Sequence, residues 1–147
     1  MTKAVAVLAG AVSAAALAAG CGSSRLSHDA FVERANAICA SYERAIERLR
    51  KPRTLTDIER YSDRVLPIYR RALGELGKLQ PSKRDEPSVR AWLRVDRAIA
   101  RDLVGLGAAA HARRIPRVRD VVRRAQGDNR RSNRLARRLG LSVCARA

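Results

Sequence analysis

The 147-residue chain has few aromatic side chains: one Trp, three Tyr and one Phe, 3% of the whole. Its core must therefore be aliphatic and rich in Ala. Two His and three Cys leave little to hold a metal, and neither His28 nor His111 has a Cys or carboxylate at ligand spacing. The sequence has no HExxH, no Gly-rich phosphate loop and no Ser in an elbow motif. It also has no CxxC, which argues against a redox couple. No alternating apolar and polar run reads as a strand. These absences speak against an enzyme, a cofactor and a β-rich fold.

The N-terminus is informative. Lys3 precedes an apolar run from Ala4 to Ala19, broken only at Gly10 and Ser13, that ends in Leu17-Ala18-Ala19-Gly20-Cys21. A charged end followed by an apolar run is the plan of an export signal. The charge stays on the cytoplasmic side while the apolar part enters the bilayer. Small residues before a cysteine resemble a bacterial lipoprotein signal, in which that cysteine takes lipid (palmitate included) and becomes the mature N-terminus. Ala18 stands where such signals commonly have Leu, and Leu17 is one position further back. The expected organisation is a signal peptide at 1–20, lipidation at Cys21, a tether at 21–26 and a helical domain at 27–147. The expected location is extracytoplasmic and lipid-anchored. The alternatives are a secreted protein cut nearby, and an uncleaved anchor at the short end of the roughly 17–25 residues needed to span.

With Cys21 lipidated, Cys39 and Cys144 remain. Outside the cytoplasm a disulfide is the default for such a pair. It would close a long loop and stabilise the fold by roughly 4–5 kcal/mol on the chain-entropy model. Two buried free thiols are the alternative.

Four segments follow with helical period. The first starts at a Ser27 cap, with Leu26 and Phe31 as a hydrophobic staple. Its stripe is Phe31, Ala35, Ile38, Tyr42, Ala45 and Leu49. The second starts near Thr54 or Thr56, with Thr56 and Glu59 as a capping box, and Pro67 should kink or split it. Pro87 suits the first turn of the third, whose stripe is Val89, Trp92, Ile99, Leu103 and Leu106. Gly105, Gly107 and the alanines that follow are taken as a loosely held helix end, with close helix approach as the alternative. The fourth begins at Pro116, weakens at residues 126–129 and ends at Gly140, where Leu141 can complete a Schellman cap. The tail, residues 141–144, can fold back toward the first helix. Short connections favour an all-α, antiparallel up-down-up-down four-helix bundle.

The net charge is +17, from 27 Arg and four Lys against 14 acidic residues. Arg117, Arg124, Arg131 and Arg138 recur every seven residues and make a basic face on the fourth helix. Three readings compete for it: a solvated face with a compositional excess of Arg, attraction to anionic lipid or wall polymers, and nucleic-acid binding. Export and the scarcity of stacking aromatics weigh against the last. Asp96 and Asp102 stand beside Arg97 and Arg101 and read as surface ion pairs. Trp92, Tyr42, Tyr61 and Tyr69 read as core packing, with an interhelical pocket as the alternative.

The N-terminal signal, the Ala-Ile-Cys-Ala stretch at 37–40 and the ending Leu139-Gly140-Leu141-Ser142-Val143-Cys144 resemble a group of small, uncharacterised helical lipoproteins of high-GC Gram-positive bacteria. The resemblance implies export, a helical fold and a Cys39–Cys144 bridge, and it brings no activity. The expected role is a non-enzymatic envelope binding or interaction module, held by its lipid and contacting an anionic surface or a protein partner. The alternative is a carrier of a small apolar ligand between the helices, which a pocket lined by Trp92 and the tyrosines would favour.

Overall fold

The computed structural model describes residues 25–146. The signal segment and Cys21 lie outside the described residues. Four helices follow one another: α1 His28–Glu47, α2 Leu55–Lys78, α3 Glu86–His111 and α4 Ile115–Arg138. They run antiparallel. The backbone N–H of Leu26, before α1, donates to Gln80 beyond the end of α2. His111 at the end of α3 meets Glu59 in the first turns of α2, and Trp92 in α3 reaches Ser132 toward the end of α4. The fold is an all-α four-helix bundle. Backbones approach closely along chain order, α1 to α2, α2 to α3 and α3 to α4. The C-terminal tail, rather than α4 itself, closes the ring against α1.

Local chemistry sets the helix ends. Ser27 caps α1 by accepting from the Ala30 N–H. At α2 the capping box is Thr54 with Asp57, each side chain accepting from the other's backbone N–H, and not Thr56 with Glu59. Starting at Thr54 keeps Leu55 and Ile58 on one helix, where both pack on Ala109, Ala110 and Val118. Glu59 is engaged elsewhere, with His111. Helix α2 also passes through Pro67 unbroken. Pro67 and Asp63 are exposed, so the carbonyl that loses its donor faces water. Likewise, α4 runs on through residues 126–129.

Two helices end in the same cap. At α4, Leu141 N–H donates to Ala136 and Gly140 N–H to Arg137, with Gly140 at φ 76°. This is the Schellman arrangement, and Leu141 is fully buried. At α3, Arg114 N–H donates to Ala109 and Arg113 N–H to Ala110, with Arg113 itself at φ 53°. The end of α3 is packed and not loose. A Cβ on Gly107 would lie 3.2 Å from the Ser62 Cβ of α2, and Ala109 and Ala110 are buried. The small residues there serve close helix approach.

Cys39 and Cys144 form a disulfide, with Cα atoms 5.2 Å apart across 105 residues of sequence. The tail reaches α1 as the sequence allowed, and Val143 N–H also donates to Asn36 Oδ1 at 3.0 Å. Phe31, Ala35, Cys39, Val89 and Leu141 form one end of the core. Leu55, Ile58, Ala109, Ala110 and Val118 form the other.

Candidate functional site

Between the two core clusters the interior is not filled. A cavity of about 350 Å³ lies there, with walls from all four helices and the tail. Tyr42 of α1, Tyr61 and Tyr69 of α2 and Trp92 of α3 line it. These are four of the five aromatic residues of the chain; Trp92 also packs in the core, as its seam position led one to expect, while the three tyrosines are half-buried. Ala72 of α2 and Ala125 of α4 face the same space. Pairing small side chains across facing helices, while α1 stands off from α4, leaves the volume open. Gln126 and Asn129 line the cavity and are also exposed, which marks its opening. The Cys39–Cys144 bridge forms part of the wall.

A polar chain crosses this apolar space. Trp92 Nε1 donates to Ser132 Oγ at 3.0 Å, and Ser132 Oγ donates to Asp96 Oδ1 at 2.5 Å. The Tyr69 hydroxyl lies close enough to Asp96 to favour the charged carboxylate. Tyr42 and Tyr69 stack tilted, with centroids 5.3 Å apart. The Trp92–Ser132–Asp96 chain fixes the indole and the carboxylate. Burial pushes the Asp96 carboxyl up to about 6, against the pull of Ser132 and Tyr69, which favour its charged form. Burial first, and then the nearby Asp96 carboxylate, raise the Tyr69 hydroxyl well above its ordinary 10. The Tyr42 hydroxyl is raised chiefly by burial.

The aspartates of α3 are therefore not surface pairs with Arg97 and Arg101. Asp96 is only 6% exposed and Asp102 only 7%. Adjacent helical residues point in different directions, so Asp96 and Arg97 do not share a face. Asp102 pairs with Arg124 of α4, whose Nε donates to Oδ1 at 2.8 Å. A signal for Asp96 was present: Val89, Trp92, Asp96, Ile99 and Leu103 step by three and four, so Asp96 occupies a seam position.

Among the residues of the basic strip, Arg117, Arg131 and Arg138 are exposed and have no acidic partner among the described residues. Arg124 is committed to Asp102. His28 meets Asp85 at 3.2 Å and His111 meets Glu59 at 2.8 Å. No group of three or more His, Cys, Asp or Glu able to hold a metal occurs among the described residues. No helix of the described residues is long and apolar enough to cross a membrane. The chain matches no family model, no curated protein and no solved structure.

Proposed function

We propose that this chain is an extracytoplasmic, lipid-anchored binding protein that carries a small, largely apolar ligand in its interhelical cavity, without catalysing a reaction on it. The cavity is the observation that carries this reading. At about 350 Å³ it falls within the size range of small-molecule sites, and its walls are mainly aliphatic and aromatic with a few convergent polar groups. The anchoring rests on the Leu17–Cys21 stretch and the lipid expected on Cys21. The Cys39–Cys144 bridge is in keeping with an oxidising compartment.

Titration of the full chain with the neutral fluorescent probe N-phenyl-1-naphthylamine tests the carrier reading. We expect saturable binding of one probe per chain, weakened at least about tenfold by Ala125→Phe, which fills the cavity. Absence of saturable binding, or binding indifferent to the filled cavity, overturns it.

A second reading concerns the outer face of α4. Arg117, Arg131 and Arg138 are exposed, with no acidic partner among the described residues, so a tethered bundle would be drawn to anionic headgroups or wall polymers, by about 1 kcal/mol per basic residue near the surface. Co-sedimentation of the unlipidated protein with vesicles checks this. Anionic vesicles should retain it and neutral ones should not, and equal retention removes the electrostatic role.

A further inference from the structure

The cavity of a strongly basic protein is walled by a single charged side chain, and that side chain is acidic. Net charge is +17, yet Asp96 is the only Asp, Glu, Lys or Arg among the described residues lining the cavity. No cation among the described residues pairs with it. Its hydrogen-bond donor among the described residues, Ser132, is a neutral hydroxyl, and the Tyr69 hydroxyl close by is neutral too. Arg124, which α4 sends across to α3, is bonded six residues further along, to Asp102. A carboxylate accepts at about four lone-pair positions, so these hydroxyls leave acceptor capacity unused.

The surroundings are suited to one class of guest. Aromatic faces carry partial negative charge, and four aromatic side chains line the same cavity as the carboxylate. A positive head gains from both: Coulomb attraction to Asp96 in a site of low polarity, and cation–π attraction to the rings. A neutral guest gains from neither, and an anion is repelled by both. The aliphatic wall, including Val65, Leu73 and Ile99, takes an apolar body. We infer that the cavity is the seat of a monovalent organic cation, an amine or quaternary ammonium on an apolar body, with its charged head against the Asp96 carboxylate. This rests on the carrier reading above and names its ligand class.

Two probes of the same shape test it. Phenyltrimethylammonium and tert-butylbenzene differ by nitrogen for carbon at the branched centre, hence by one positive charge. Each is titrated into the full chain and followed by the fluorescence of Trp92, the only tryptophan. We expect the cation to bind at least about tenfold more tightly than its neutral isostere. Asp96→Asn should abolish the preference, bringing the two probes to within about twofold of each other. Equal binding of the two probes by the wild-type protein overturns the cation site and leaves the apolar carrier standing. Binding of neither overturns both. A preference that survives Asp96→Asn also overturns the inference, because the charge would then be met elsewhere. The wild-type contrast decides the matter even where the variant fails to fold.

Discussion

Asp96 and Asp102 stand on the same helix, six residues apart and equally buried, but they are served differently. Asp102 receives the Arg124 guanidinium on Oδ1, while its Oδ2 has no partner among the described residues. Asp96 accepts from the Ser132 hydroxyl, has no cation against it among the described residues, and faces a cavity. A buried charge is stabilised by pairing, and removing one partner of such a pair is costly. The pair at Asp102 therefore reads as part of the scaffold that joins α3 to α4. A charge at Asp96 without a cation among the described residues costs the protein stability, and it stands at the cavity proposed above as the binding site.

The strongest way to break the contrast is to neutralise the unpaired member. The Asp96 carboxyl titrates at about 6 in the fold against an ordinary 3.8. Between these values the folded chain holds a proton that the unfolded chain has released. Stability is therefore greatest below about pH 4, falls as pH rises through 6, and stays low above it. Asp96→Asn should remove this dependence and raise stability at pH 8 by up to about 3 kcal/mol. Urea melts at pH 4 and pH 8 check it. The gain should vanish at pH 4, and an equal effect at both values would mean that burial does not hold the carboxyl up.

A smaller effect of opposite sign is expected at the other aspartate. Arg124→Met strips Asp102 of its cation and should cost about 2 kcal/mol, below the full buried-pair value because the arginine side chain is half exposed. Adding Asp102→Asn should restore most of the loss in a double-mutant cycle. A single variant as stable as wild type would show that the pair holds nothing, and the contrast between the two sites would narrow.

Much of the fold could be read from local patterns. Ser27, Pro87, Gly140 and the buried Leu141 mark helix ends by their own chemistry, and the tail's return to Cys39 follows from an up-down order with a short last segment. The cap at Arg113 could not be read, because it uses a left-handed backbone without Gly. The α2 start offered two overlapping boxes, Thr54 with Asp57 and Thr56 with Glu59, and only the tertiary partners Ala109, Ala110 and His111 decide between them. The site was half legible. Trp92 and the three tyrosines stand out as scarce aromatics on or beside apolar seams, but a seam residue closes a core or lines a void depending on how far apart the helices stand. Asp96 was hidden by its sequence neighbour Arg97, although its seam position was plain.

The disulfide has a mechanical consequence. A load applied between residue 25 and residue 146 enters at the start of α1, runs along it to Cys39, and crosses through sulfur to Cys144. Residues 40–143, which hold α2, α3, α4 and most of the cavity wall, lie off that force path. A pull between these two residues is thus carried without loading the helices that wall most of the cavity.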